Sequence, residues 1–125
     1  MSDSVGEFSL EHKGTTYIKT DESLDSYANF AGTATGYGSV FGTLKVSNPL
    51  AGSIPTSGDC TWSSQAFLED GTTVTGFGEG TFDQQPGQHQ WKITLNIQIS
   101  NGDSLRSEGE IDLATLLFKG AMYEA

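Results

Sequence analysis

Residues 89–100 form the most regular run of alternating apolar and polar positions in the chain. Apolar residues occupy every second position when His89 is counted among them. A period of two is typical of a half-buried antiparallel strand. The Asn101-Gly102 pair that follows is a strong hairpin signal, because both turn positions must tolerate positive φ. The sequence therefore predicts that the chain reverses there into a strand over residues 105–113.

Similar turns on the N-terminal side extend this pattern into a β-meander. Each contains a glycine next to a residue that is frequent in turns. Together they predict four consecutive antiparallel strands between residues 58 and 113. The two earlier strands cover residues 60–69 and 72–83. Asp70-Gly71 forms the turn between them, and Pro86-Gly87 forms the turn that leads to residues 89–100.

The N-terminal third has a less regular pattern. Residues 7–10 and 15–20 predict a first hairpin around Lys13-Gly14. Over residues 21–31 the apolar positions instead recur at helical spacing, with Asp21 available as N-cap and Gly32 placed to end a helix. We therefore predict one short helix or helical loop there. The apolar positions concerned are Leu24, Tyr27, Ala28 and Ala31.

Three further segments complete the pattern. Residues 33–46 are glycine-rich but contain regularly placed apolar residues, which predicts one long strand bent at its glycines. Residues 48–58 are rich in turn formers and predict an exposed irregular loop, either an ordinary connection or a cap over a pocket mouth. Residues 116–123 are apolar enough for a closing strand, although residues 112–117 suit one helical turn equally well.

These elements predict an all-β chain. We count about eight antiparallel strands, nearly all adjacent in sequence, and at most one short helix. Such strands must pair as two sheets or curl into a closed barrel, and closure removes exposed edges. The many glycines favour closure, because they permit the bends of a small barrel. We predict a single domain over residues 1–125, a closed β-barrel whose interior holds packed side chains or one small ligand.

Composition restricts the classes of partner and compartment. Sixteen acidic residues against six basic ones give a net charge of -10, which argues against binding to nucleic acid or an anionic membrane. Cys60 is the only cysteine, so the chain has no internal disulfide or cysteine-based zinc site. No signal peptide or run of about 20 apolar residues is visible. We expect a cytoplasmic protein without a metal or cofactor.

Three glycine-containing segments carry a resemblance to known small barrels. They are Thr-Gly-Tyr-Gly at 35–38, Gly-Phe-Gly-Glu-Gly at 76–80 and Glu-Gly-Glu at 108–110. With the meander, they resemble the barrels related to allene oxide cyclase and, more loosely, the lipocalin-type calycins. The short Gly-x-Trp motif expected of lipocalins is absent. The resemblance implies a barrel cavity for an apolar small molecule, often in an oligomer, with cyclases and isomerases among its relatives.

Two polar residues are candidates for acid and base chemistry. His89 begins the predicted central strand, and an imidazole at the rim of an apolar interior titrates near neutral pH; the alternative is a strand-end histidine in solvent. Glu79 shares a face with Phe77, and the sequence leaves open which face of residues 72–83 is interior. If that face is interior, burial raises the pKa of Glu79 and gives it acid and base capacity near His89.

The aromatic residues of the predicted strands are candidate cavity walls, although such residues are often ordinary core. Cys60 shares a face with apolar neighbours and is interpreted as a small buried hydrophobe. His12 lies beside a predicted turn and is expected to be exposed. The candidate ligand-binding residues are Tyr37, Phe41, Trp62, Phe77 and Trp91.

The leading hypothesis is a cofactor-independent cyclase or isomerase acting on an apolar small molecule in the barrel, with Glu79 and His89 as catalytic residues. The alternatives are a non-catalytic carrier of a small hydrophobic ligand and an interaction or assembly module with a filled core. A homo-oligomer is expected, because at most residues 21–31 are available as a helix to cover the apolar outer wall.

Overall fold

The computed structural model describes residues 4–125, which form eight β-strands. Within this range there is no helix, and each strand is antiparallel to the next. The strands are β1 (Gly6–Lys19), β2 (Ser23–Ala34), β3 (Gly38–Pro49), β4 (Ser57–Phe67), β5 (Thr73–Gln84), β6 (Gln90–Ile99), β7 (Ser104–Asp112) and β8 (Leu117–Glu124).

The sheet closes on itself through the first and last strands. β1 pairs with β8 from Gly6 opposite Met122 to Glu11 opposite Leu117. Closure gives residues 8–11 of β1 and 117–122 of β8 hydrogen-bonding partners on both sides, so these parts have no open edge. The predicted closed antiparallel meander of eight strands is confirmed.

The turn chemistry accounts for the regular C-terminal part. Gly71, Gly87 and Gly102 have φ values of 89°, 71° and 102°, which L-residues rarely adopt. The residues of β6 alternate as predicted, with Ile93 and Leu95 only 1% exposed. The strand predicted at residues 116–123 is confirmed as β8, and residues 113–116 form the turn before it.

The helix predicted over residues 21–31 is wrong, because residues 23–31 of this segment lie in β2. Its backbone pairs with β1 on one side and β3 on the other, which gives the segment more hydrogen-bonded partners than an isolated helical turn offers. Positions 24, 26, 28 and 30 face the interior. Ser26 breaks the apolar alternation there, and its hydroxyl donates to the carbonyl oxygen of Val46 at 3.3 Å.

Two other predicted boundaries are corrected. The hairpin predicted around Lys13-Gly14 is one continuous strand, because a β-bulge between His12 and Gly14 absorbs the extra residue. The strand predicted over 33–46 is interrupted by a turn at residues 35–37. Gly36 and Gly38 have φ values of 80° and 67°, so the chain reverses there instead of bending.

Aromatic side chains fill the middle of the barrel. The rings of Trp62 and Phe118 meet edge to face at 5.8 Å between centroids, and Phe30 lies 5.4 Å from Phe118. Gly42 on β3 makes room for Trp62, because a Cβ built at Gly42 would fall on the six-membered ring of the indole. Beside this packed middle, free space remains toward one end of the barrel.

Candidate functional site

The orientation of β5 decides which of the candidate residues face the interior. Val74, Gly76 and Gly78 are buried, whereas Phe77 is 50% exposed and Glu79 is exposed. The face that carries Phe77 and Glu79 is therefore the outer one. Glycine occupies inward positions because side chains from neighbouring strands take the space. A Cβ built at Gly78 would lie 2.8 Å from Cγ1 of Ile97.

A cavity of about 70 Å³ lies inside one end of the barrel. This is the end that carries the β2–β3, β4–β5 and β6–β7 turns. Its wall is almost entirely apolar and uses residues from seven of the eight strands. The lining residues are Phe8, Leu10, Ala34, Tyr37, Val40, Trp62, Ser64, Ala66, Leu95, Ile97, Ile99, Leu105, Ser107, Phe118 and Met122.

Tyr37 connects two turns at this end of the barrel. Its hydroxyl donates a hydrogen bond of 2.7 Å to Oδ2 of Asp103, which joins the β2–β3 turn to the β6–β7 turn. Asn101 holds the same carboxylate through an Nδ2–Oδ2 hydrogen bond of 3.1 Å. Burial, the hydrogen bond and the charge of Asp103 raise the pKa of Tyr37 to about 12. The phenol is therefore neutral at physiological pH.

Two hydroxyl groups belong to the cavity wall itself. Ser64 donates to the carbonyl oxygen of Gly76 at 3.2 Å, so its hydrogen is already used. Ser107 is only 4% exposed and lies on the inward face of β7. Its hydroxyl is a polar group in a mostly apolar wall. It can orient a bound molecule that carries one polar atom.

The structure brings together only two of the five predicted ligand-binding residues. Tyr37 and Trp62 line the cavity. Trp91 faces the interior at the opposite end, where its ring packs 6.0 Å from that of His89. Phe41 and Phe77 lie on the outer surface and are 53% and 50% exposed, so their predicted place in the cavity wall is wrong.

The two predicted catalytic residues do not converge. Glu79 points outward from the middle of β5, opposite Asn96 on β6. His89 lies in the exposed β5–β6 turn, outside β6, at the end of the barrel away from the cavity. The premise of an interior carboxylate beside an imidazole is therefore wrong. Their catalytic role stays a prediction without this geometric support.

Two other sequence predictions have opposite outcomes. Cys60 is buried as predicted, and its pKa is raised to about 11, mainly by burial and further by Asp59. His12 is half-buried and not exposed, because it continues the inward-facing positions of Phe8 and Leu10, and its ring lies against Phe30 with centroids 5.5 Å apart. Its Nε2 lies 2.7 Å from Oγ1 of Thr15, which supplies a hydrogen-bond partner.

Sequence reasoning missed two of the polar groups at the cavity. Asp103 belongs to the Asn101-Gly102-Asp103 turn, which was assigned a purely structural role, and its partner Tyr37 is remote in sequence. Ser107 lies on the inward face of β7 between Leu105 and Gly109. A polar residue on a strand face whose other members are apolar or glycine is the one signal that could have singled out Ser107.

Other structural features limit the chemistry of this end. The irregular loop at residues 50–56 is exposed as predicted, but it joins β3 to β4 at the opposite end and does not cap the cavity. Among residues 4–125, no group of three or more His, Cys, Asp or Glu side chains is arranged to hold a metal ion. The described chain contains no helix with the length and apolar character required to cross a membrane.

Comparisons of the chain with protein-family models, with curated proteins and with solved structures find no match.

Proposed function

We propose that this protein binds a small apolar molecule, or the apolar end of a larger one, in the cavity beneath Tyr37, without converting it chemically. The observation that carries the proposal is the composition of the cavity wall. Of the described residues that line it, only Tyr37 is titratable, and its raised pKa keeps it protonated near neutral pH. The wall thus offers apolar contact and little capacity for proton transfer.

The volume of the cavity limits the size of its ligand. An engineered cavity of about 150 Å³ in another protein takes benzene, and typical ligand pockets measure about 300–1,000 Å³. At about 70 Å³, this cavity suits a short aliphatic group or a single heavy atom. This small volume favours the carrier over the cyclase or isomerase, which has to surround the reacting part of a substrate. The enzymatic hypothesis stays a prediction.

The charge at the cavity end favours neutral or cationic ligands. The turns there carry Glu69, Asp70 and Asp103, and no lysine or arginine. Carboxylates near a pocket mouth repel an anionic ligand, and the net charge of -10 adds to this repulsion.

Xenon binding followed by methyl NMR tests the proposal. We expect xenon to shift the methyl resonances of Ile97 and Leu105, because both side chains line the cavity. Ala66→Leu should fill the space and suppress these shifts. Ala114→Leu, in the exposed β7–β8 turn, is the matched control and should leave them unchanged. Absence of shifts in the wild type, or equal shifts in both variants, would contradict binding in this cavity.

A pair of isosteric probes tests the charge preference. Isobutanol and isobutyrate have the same branched apolar end, but only the second is anionic at pH 7. We expect isobutanol to shift the cavity methyl groups at lower concentration than isobutyrate does. Asp103→Asn should narrow this difference, because it removes one carboxylate next to Tyr37. Preferential binding of isobutyrate would overturn the proposed ligand class.

A further inference from the structure

Three of the seven phenylalanines project outward from one side of the barrel. Phe41, Phe67 and Phe77 are 53%, 42% and 50% exposed. The rings of Phe41 and Phe67 meet edge to face, with centroids 5.8 Å apart. Aromatic rings that are grouped in solvent mark an interaction surface more often than isolated apolar residues do. We call the outer side of residues 39–43, 63–67 and 73–77 the phenylalanine face.

The phenylalanine face contains no charged residue, although 22 of the 125 residues of the chain are charged. Its outward positions are serine, threonine, glutamine and phenylalanine, which lie in register across β3, β4 and β5. The opposite side of the barrel is highly charged. Arg106, Glu108 and Glu110 point outward from β7, and Lys119 does so from β8. Charge is thus segregated from the exposed aromatic rings.

We propose that the phenylalanine face is the interface through which two copies of this chain form a symmetric dimer. Each copy has a net charge of -10, so close approach is opposed wherever carboxylates meet. Contact through the phenylalanine face keeps the charged outward positions of β7 and β8 of both copies away from the interface. The inference is independent of the ligand cavity, which lies inside the barrel.

The row of residues next to this face identifies a second copy as the occupant. Lys45 on β3, Thr61 on β4 and Glu79 on β5 are consecutive partners in the sheet. A two-fold axis parallel to β4 exchanges the positions of β3 and β5 between the copies. Lys45 of each copy then faces Glu79 of the other, and the two Phe67 rings meet near the axis. The Lys45 and Glu79 row at the border of the face is therefore complementary in charge to itself, while Asp59 and the β4–β5 turn residues Glu69 and Asp70 bring like charges near the axis and weaken the association.

The size of the face indicates a weak dimer. The three strands of the face together are about 14 Å wide, and from the Ser39 row to the bordering Lys45 row the surface is about 20 Å high, at standard sheet spacings. Two such surfaces bury roughly 560 Å² in total, well below the range of stable interfaces. We therefore expect a dissociation constant on the order of 100 µM.

Sedimentation equilibrium from about 10 µM to about 1 mM protein tests the dimer. We expect reversible dimerisation. Phe41→Ser and Phe77→Ser should each weaken it by at least about 10-fold, because they remove exposed rings from the interface. Ile18→Ser on β1 is the control, since Ile18 is 50% exposed but lies outside the phenylalanine face. Circular dichroism should show that every variant keeps its fold. A strict monomer at all concentrations would overturn the proposal.

A charge exchange tests the arrangement of the two copies. Lys45→Glu and Glu79→Lys should each weaken the dimer by about 5-fold or more, because like charges then face each other across the interface. The double variant should restore the affinity to within about 3-fold of the wild type. Both residues are on the surface, so these variants do not depend on core packing. Failure of the double variant to recover affinity would overturn the two-fold arrangement.

The same variants distinguish other occupants of the face. Binding of the wild-type chain to neutral phosphatidylcholine vesicles or to cellulose that is lost in Phe41→Ser, while the free chain stays monomeric, would identify a lipid surface or a polysaccharide instead. Either result would overturn the dimer. Concentration-dependent self-association of the free chain, with no binding to the vesicles or to cellulose, would support the dimer.

Discussion

Tyr37 and Asp103 lie 66 positions apart in the sequence and are joined by a hydrogen bond of 2.7 Å. The bond connects the β2–β3 turn to the β6–β7 turn at the end of the barrel that contains the cavity. The aromatic ring of Tyr37 forms part of the cavity wall, while its hydroxyl is held at the rim. One residue therefore couples the shape of the binding space to the position of a distant turn.

We predict that Tyr37→Phe destabilises the protein modestly and alters its response to alkaline pH. The pKa of Tyr37 is raised from 10 to about 12 by burial and by Asp103. A raised tyrosine pKa means that folding favours the neutral phenol, so the contribution is complete below pH 10 and is lost as the pH rises to about 12. Urea unfolding from pH 7 to pH 12 should show this loss in the wild type.

The difference between wild type and Tyr37→Phe isolates this contribution from other groups that titrate in alkali. Near pH 7 we expect the variant to be less stable by about 1 kcal/mol, the usual net value of one hydrogen bond. The difference should disappear toward pH 12. Asp103→Asn is the partner control, and combining both changes should cost less than the sum of the single effects. Parallel profiles over the whole pH range would contradict a titrating Tyr37–Asp103 bond.

The fold could be predicted where local patterns and tertiary demands agree. The β6–β7 hairpin is the clearest example, because alternation along β6 and the Asn101-Gly102 turn point to the same structure. In β2 the local sequence pattern and the tertiary pairing disagree. Ser26 faces inward and bonds to the carbonyl oxygen of Val46, so the apolar positions mimic a helical period. Pairing on both edges of the segment overrides that local signal.

The site could be predicted only in part, because glycine hides which face of β5 is interior. Gly76 and Gly78 face inward, and their space is taken by neighbours such as Ile97. Phe77 points outward, which reverses the usual relation between apolarity and burial. The sequence therefore left the interior face of residues 72–83 open, and the site roles predicted for Phe77 and Glu79 required the face that is in fact the outer one. The contact between Tyr37 and Asp103 depends on closure of the whole barrel and has no local signal.

Gly42→Ala should be strongly destabilising. A Cβ at this position would fall on the ring of Trp62, which is only 4% exposed and is packed against Phe118. The indole cannot move without disturbing the aromatic centre of the barrel. We expect a loss of about 2–4 kcal/mol in unfolding free energy, at the upper end of overpacking effects. Urea titration monitored by tryptophan fluorescence measures it.

The control for this prediction is Gly58→Ala on β4. Its Cβ would lie 3.0 Å from an atom of the Phe82 ring, a tight contact with a partly exposed side chain that can shift. We expect a loss of less than about 1.5 kcal/mol there. The double variant Gly42→Ala/Trp62→Phe should lose less stability relative to Trp62→Phe than Gly42→Ala loses relative to the wild type. Equal effects of the two glycine substitutions would argue against a specific role of the indole.

Asp25 should make the protein sensitive to acid. Hydrogen bonds from Ser47 and Ser23 hold the pKa of this buried carboxyl below its ordinary value of 3.8, with a smaller contribution from the charge of Lys45. A lowered pKa means that folding favours the carboxylate. The contribution is therefore present above pH 3.8 and is lost as the pH falls through the lower folded value. Urea midpoints at pH 7, 4 and 2.5 should decline accordingly.

Ser47→Ala removes the largest contribution to the lowered pKa of Asp25. It should therefore reduce the fall of the urea midpoint between neutral and acidic pH. Ser39→Ala is the matched control, because Ser39 also points outward from β3 but does not contact Asp25. Asp25→Asn should be less stable than the wild type at pH 7, and the gap should narrow in acid. An unchanged acid profile in both Ser47→Ala and Asp25→Asn would show that other carboxyl groups dominate acid unfolding.

Cys60 should react with thiol reagents only when the barrel opens. The side chain is 3% exposed, and burial together with the charge of Asp59 raises its pKa to about 11. Because the thiolate is the nucleophile, both effects slow modification at pH 8. We expect labelling by iodoacetamide, followed by mass spectrometry, to be at least about 100-fold slower than in urea-unfolded protein. Its rate should rise with the unfolded fraction as urea is added.

A cysteine moved to the exposed loop provides the matched control for this measurement. Cys60→Ala/Ser53→Cys places the single thiol in the irregular loop between β3 and β4, where the residues are exposed. This variant should react in the folded state at nearly the rate of an unfolded thiol, because loop cysteines keep an ordinary pKa and free access. Rapid labelling of native Cys60 would show that the β4 wall of the barrel opens locally, without global unfolding. Slow labelling that follows the unfolding curve would show that β4 is released only when the barrel as a whole unfolds.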